Sequence, residues 1–209
     1  MPRSIGNVTV AASSPPSFIK YSSGSGTYTS QVGCNYLIVE MVGAGGGGGY
    51  SSGSGAGGGG GGGGYMKLKI PAGAYSYTVG AKGLGTSSIG VAGTNGGDTT
   101  FGTAVARGGV GGGGTGGAGG GGPLGANTTL GTVLVNITGG YAGSSLSNGL
   151  TAPGGAGFMG LPQPTNYFNY SAGVFNATGY GGGGSGSSNV TLLNSGDGSG
   201  GYIFITEVN

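Results

Sequence analysis

The stretch YLIVEMVGAGGGGGYSSGSGAGGGGGGGGYMKLKI, residues 36–70, carries two textures. At its start, Leu37, Val39 and Met41 alternate with Tyr36, Ile38 and Glu40. At its end, Met66, Leu68 and Ile70 alternate with Lys67 and Lys69. Period-two alternation of apolar and polar residues is the pattern of a half-buried strand, because successive strand side chains point to opposite faces. Between the two strands lie runs 43–49 and 53–64, almost pure glycine.

Both textures recur outward from this stretch. Tyr75, Tyr77 and Val79 alternate with Ser76 and Thr78, and Val133, Val135 and Ile137 alternate with Leu134, Asn136 and Thr138. The chain closes on YIFITEV, 202–208, and weaker strand patterns lie at 5–10, 18–21, 99–106 and 190–193. No window holds helical periodicity over two turns, so an all-β fold is expected. Further glycine runs occupy 108–122, 179–186 and 196–201.

Of the 209 residues, 62 are glycine, about four times the usual share of roughly 7 %. Charged residues make up 5 %, the formal net charge is +2, and there is no His, no Trp and one Cys. Disorder driven by net charge does not fit. Collagen needs glycine strictly every third residue with abundant proline, which these unbroken runs lack. Cys34 has no partner for a disulfide. Six basic residues form no cationic stripe, so nucleic acid is not an expected partner. No run of 18 apolar residues predicts membrane insertion. Residues 1–17, MPRSIGNVTVAASSPPS, hold one Arg and no apolar core segment, so no secretory signal is expected.

The glycine runs admit two readings. As flexible linkers they would join domains, yet these runs sit between single strands, where floppy segments would multiply the entropy cost of folding. The alternative is order: extended helices with three residues per turn and no internal hydrogen bonds, whose amides find partners in neighbouring runs. Only glycine lets such backbones approach closely. Interruptions by Ala, Ser and Thr suit an outward edge of a bundle, and residues 108–196 carry no charge at all. The ordered reading is the expectation.

Familiar chemistry is missing. A nucleophilic triad lacks its His, a zinc site its Cys and His cluster, and no glycine run ends in the Lys-Ser/Thr of a phosphate loop. The acids are Glu40, Asp98, Asp197 and Glu207. Asp98 and Asp197 read as turn residues bonding their own backbone, each too isolated for a favoured calcium site. Glu40 suits a cross-strand surface pair with Lys67 or Lys69. Six sequons, at Asn7, Asn127, Asn136, Asn169, Asn176 and Asn189, are discounted in a chain so rich in Ser and Thr. No enzyme activity, cofactor or metal is expected.

The order of elements carries a resemblance. A strand ending VEMVGAGGGGG (39–49) is followed by GGGGYMKLKIPAGAYSYTVGAKG (61–83), the turn GTNGGDTTFG (93–102), AVARGG (104–109) and a closing GGYIFITE. From about residue 18 to 208 this resembles the glycine-rich domain of bacteriophage tail-fibre and receptor-recognition proteins. It is more loosely similar to the distal adhesins of T-even phages and to the glycine-rich ectodomain of anaplastic-lymphoma-type receptor kinases. The resemblance implies a jelly-roll-like β-sandwich with an attached bundle of polyglycine II helices on a virion surface, and a homotrimer. The chain then divides into an N-terminal arm, 1–17, meeting other virion proteins, and one glycine-rich domain, 18–209. Almost no shaft precedes that domain, so a fibre tip, a head spike and a capsid decoration protein all fit.

Residues 144–178 break the glycine texture and concentrate aromatic and amide side chains. Phe158, Asn166, Tyr167, Phe168, Asn169 and Tyr170 are the candidate residues for receptor binding or assembly, since rigid aromatics beside amides suit recognition at low entropy cost. A host surface polysaccharide or outer-membrane protein is the expected partner, with packing on the sandwich or a subunit contact as the competing use. Two other classes compete with the virion reading. Irregular Thr spacing counts against an ice-binding protein, and the expected lack of a signal against a secreted matrix-type protein.

Overall fold

The computed structural model describes residues 16–51, 56–114, 120–122, 125, 129–144, 152, 154–157, 175–187 and 194–209. The strands are β1 (Ser17–Tyr21), β2 (Ser25–Thr29), β3 (Tyr36–Val42), β4 (Tyr65–Pro71), β5 (Ala74–Thr78), β6 (Thr99–Phe101), β7 (Ala104–Ala106), β8 (Thr132–Ile137) and β9 (Tyr202–Val208). They form two antiparallel sheets, ordered β1-β9-β3-β4-β8 and β2-β5-β6-β7. The fold is all-β, a sandwich, and no α-helix occurs among the described residues.

Register explains the core. Val39 lies opposite Leu68 on one side and Ile205 on the other, and Met41 lies opposite Met66 and Ile203. The apolar halves of β3, β4 and β9 therefore make one continuous inner face, completely buried. Tyr28, Val79, Phe101, Ala104 and Ala106 close on it from the other sheet. Phe101 packs tilted against Tyr28 and Tyr75, with ring centroids 5.8 and 5.3 Å away. The same parity turns Glu207 inward, two residues beyond Ile205, where it is 1 % exposed.

Two readings of the sequence change, and one strand carried no reading. Residues 99–106 form a hairpin of two strands, not one, because Gly102 turns the chain at φ +56°, a backbone conformation that L side chains disfavour. Strand β2, SGTYT, has no legible pattern: only Tyr28 is large, apolar and buried. In β8 the register shifts, so that Lys67 faces Val135 and Leu68 faces Val133. A bulge of this kind reverses which face later residues serve. Val133 packs on the inner core, Val135 joins an outer cluster with Val42, Tyr65 and Tyr202, and Leu134 is left 47 % exposed. The strand patterns at 5–10 and 190–193 lie outside the described residues.

The glycine segments leave the sandwich at one end. Segment 43–51 continues β3, 56–64 leads into β4, 80–97 joins β5 to β6, 107–114 follows β7, and 194–201 leads into β9.

Candidate functional site

A hydrogen-bond lattice of main chains organises the described glycine segments. Segment 43–50 donates its amides in a repeating cycle. Gly43, Gly46 and Gly49 bond the carbonyls of Gly64, Gly61 and Gly58; Ala44, Gly47 and Tyr50 bond those of Gly97, Thr94 and Val91; Gly45 and Gly48 bond those of Ser199 and Gly196. Each partner number falls by three as the donor number rises by three. Every third amide thus faces the same neighbour, and the neighbours run antiparallel.

Segment 57–64 repeats the scheme. Gly57, Gly60 and Gly63 donate to Ser187, Gly184 and Gly181; Gly58, Gly61 and Gly64 to Gly113, Val110 and Arg107; Gly59 and Gly62 to Gly143 and Gly140. These N···O distances run from 2.7 to 3.3 Å. Its carbonyls accept from 43–49 and also from Gly120 and Gly155. Segment 57–64 is therefore surrounded on every side by backbone, and its glycines are buried.

Here glycine is needed for space, not for turning. No residue of 43–49 or 57–64 has positive φ. A Cβ built on Gly45 would collide with the carbonyl oxygen of Gly182, and one on Gly57 with that of Gly49. In the flanking segments larger side chains point to solvent, Leu84, Val91, Val110 and Tyr141 all being exposed, whereas Tyr50, at the far end of segment 43–50, is buried. Backbone amides need partners, and at several of them polar side chains supply the acceptor in place of a carbonyl. Asp98 Oδ1 and Asn95 Oδ1 accept from the amides of Gly108 and Gly111. Thr94 Oγ1 accepts from Leu84, Asp197 Oδ1 from Gly85 and Ser199 Oγ from Gly182. Ser195 Oγ, buried, accepts from the Thr86 amide and donates to the Gly48 carbonyl, both at 2.6 Å.

This corrects the reading of Asp98 and Asp197 as turn residues serving their own backbone. Each clamps a remote segment, with an ion pair added: Lys82 Nζ at 2.7 Å from Asp197 and Arg107 Nη1 at 3.0 Å from Asp98. Burial works to raise the Asp197 pKa, but Lys82 and the Gly85 amide outweigh it and hold the carboxyl below its usual value. Glu40 pairs with Lys67 at 2.9 Å, as the strand pattern suggests, and accepts from Tyr65 Oη at 2.7 Å. Burial again opposes ionisation, and those two partners win.

Residues 21–209 match the model of a family described as a glycine-rich domain. The chain belongs to that family. Within this glycine-rich domain, the lattice of segments 43–51 and 56–64 is the shared centre on which the flanking segments are laid. No curated protein matches the chain.

The sequence-derived candidates Phe158, Asn166, Tyr167, Phe168, Asn169 and Tyr170 lie outside the described residues. Their flanks are placed: Gly157 sits against Gly181 near the sheets, and Phe175 bonds Ser185 farther out. The capping residues Asn95, Ser195 and Ser199 escaped the sequence reading. One signal was present for part of the set: Asn95 and Asp98 are three apart, as are their partners Gly111 and Gly108. The single cysteine, Cys34, half-buried against the core, donates from Sγ to the Tyr36 carbonyl at 3.3 Å. Inside the core, Tyr28 Oη donates to Glu207 Oε1 at 2.5 Å, and burial followed by that bond pushes the Tyr28 pKa well above the phenol range. A phenol so held is a fixed donor and no nucleophile.

Proposed function

We propose that this glycine-rich domain is a non-enzymatic structural protein of a virus particle, a fibre or spike tip or a capsid decoration protein. Its segments form a bundle of polyglycine II helices, and that bundle is a stiff projection for displaying loops. The observation that carries this reading is the three-residue recurrence of partners along 43–50 and 57–64. A helix with three residues per turn and no internal hydrogen bonds aims its amides outward in that cycle. At about 3.1 Å per residue, eight residues extend about 25 Å. Backbone enclosed by backbone offers a protease no loop to grip.

Display at the outer end is supported by chain path. Gly49, Gly58, Gly113 and Ser187 meet at one level, linked by hydrogen bonds, with Gly143 bonded to the neighbouring Gly59, at the end of the bundle remote from the strands. The virion assignment is supported by the resemblance in element order to phage tail-fibre and receptor-recognition domains. On the same reading the molecule is a homotrimer on the virion surface, attached to other virion proteins through residues 1–17. Residues 144–178 then meet a host polysaccharide or outer-membrane protein. Hydrogen exchange tests the bundle: amides 43–49 and 57–64 exchange as slowly as those of β3 and β4, whereas rates of an unstructured peptide refute it. Immunogold electron microscopy tests the location: labelled particles are expected, and particles free of label remove the virion assignment while leaving the bundle intact.

A further inference from the structure

The bundle leaves the outer face of the five-stranded sheet unexplained. Its residues are fixed by register: Lys20, Phe204, Glu40 and Lys67 lie in one row across β1, β9, β3 and β4, and Phe18, Thr206, Ile38 and Lys69 in the next. Aromatic rings stand in series on it. Phe18 stacks on Phe204, Phe204 on Tyr202, and Tyr202 on Tyr180, with centroids 5.8, 6.3 and 5.0 Å apart. Phe18, at the sheet edge, is 62 % exposed.

The charge on this face is unbalanced. The chain has four acids. Glu40, Asp98 and Asp197 are paired with Lys67, Arg107 and Lys82, and Glu207 is buried against Tyr28. Among the described residues that leaves Lys20 and Lys69, both exposed, with no Asp or Glu. Both lie on the aromatic face, Lys20 Nζ 5.0 Å from the Tyr180 ring centroid and Lys69 Nζ 4.0 Å from that of Tyr36. A cleft of about 430 Å³ opens beside Lys69, lined also by Asn35, Tyr36, Pro71, Leu130 and Thr132.

We propose that this face, from Phe18 and Lys20 to the cleft at Lys69, binds an acidic polysaccharide, a sugar chain bearing carboxylates at intervals. The two lysine positions stand three strand spacings apart across the sheet and one row apart along it, about 16 Å at about 4.8 Å per strand and about 3.4 Å per residue. Two cations at that spacing are too few for a nucleic acid, which engages roughly 6–10 phosphates, or for an anionic membrane, read by clusters of roughly 4–8 basic residues. They suit a polymer whose charges are sparse. Beside them Phe18, Phe204 and Tyr36 offer apolar surface to sugar C–H groups, while Asn35, Thr132 and Thr206 offer hydrogen bonds to hydroxyls. Stacking the face on a second copy in a two-fold contact would bring free lysines together without counter-charge.

The test is calorimetric titration of the full chain with a galacturonate hexamer at low salt, with maltohexaose as the neutral control. Saturable binding to the hexauronate alone, weakening with salt, is expected. Lys20→Gln/Lys69→Gln should weaken it about tenfold or more, and Phe18→Ala should weaken it by a smaller factor. Lys82→Gln, which removes a cation already paired elsewhere, should leave it unchanged. An unaltered melting temperature shows that the exposed-lysine variants are folded. Absence of binding, equal loss with Lys82→Gln, or equal binding of maltohexaose overturns the proposal. So does light scattering in which Phe18→Ala turns an oligomer into a monomer, since the face then belongs to a second copy. Binding seen only after residues 1–15 are deleted also overturns it, since the chain's own arm then covers the face.

Discussion

In the sandwich, side chains exclude water: Leu37, Val39, Met41, Leu68, Ile203 and Ile205 are completely buried against one another. In the bundle, the absence of side chains does the equivalent work: residues 43–49 and 57–64 are equally buried, with carbonyl oxygens where Cβ atoms would otherwise stand. The first region gains stability from apolar area and tolerates imperfect shape, because side chains can rearrange. The second gains it from satisfied amides and close main-chain contact, and has nothing that can rearrange. Burial of the same degree therefore implies opposite sensitivities to mutation.

The sharpest way to break this contrast is one added methyl group. Gly45→Ala should cost about 5 kcal/mol or more, or abolish the bundle, because the new Cβ would occupy the site of the Gly182 carbonyl oxygen. Denaturant unfolding measures it, and a cost below that of an exposed substitution would contradict the packing. Leu68→Ala in the sandwich should cost about 2–5 kcal/mol, the range for a buried large-to-small change, with the same assay as readout. Ser195→Ala should cost about 1–3 kcal/mol, since the Thr86 amide and Gly48 carbonyl both lose a partner. Hydrogen exchange at Thr86 should rise with it. Ala44→Gly, one residue from Gly45, should cost only about 1 kcal/mol, because that methyl already fits, fully buried. Position, not composition, then decides.

The smallest effect is on pH dependence. Glu40 and Asp197 ionise more readily in the folded chain than usual, so the folded state binds fewer protons than the unfolded one near their ordinary values of 4.5 and 3.8. Their contribution is present above those values and is lost as pH falls through the lowered folded pKa. Melting temperature should drop below about pH 4.5, and Lys82→Gln should reduce the Asp197 share of that drop. At the other extreme, Tyr28 and Tyr65 hold their protons more tightly than usual, so stability should also fall as pH rises above 10.

Strands β3, β4 and β9 were legible because each alternates cleanly and serves the centre of a sheet. Strand β2 was not, because an edge strand that buries only Tyr28 needs no pattern. The β8 bulge was hidden because alternation in sequence carries no sign of the residue skipped in pairing. Order in the glycine runs could be anticipated from the cost of leaving several floppy segments between single strands. The capping roles could not: a Ser or Asn within glycine looks the same whether it faces solvent or an orphaned amide 109 residues away, as Ser195 does at Thr86.

By itself, the sequence determined where backbone would have to meet backbone, since a segment without side chains can bury itself in no other way. It also determined which strands would turn an apolar face to a common core. Only the tertiary structure decided that segment 57–64 lies enclosed while 80–97 and 139–143 flank it, and which amide bonds which carbonyl. One glycine amide is chemically the same as the next, so no local code names its partner. The strands that end each segment set its position and register, and those strands are brought together by the sandwich.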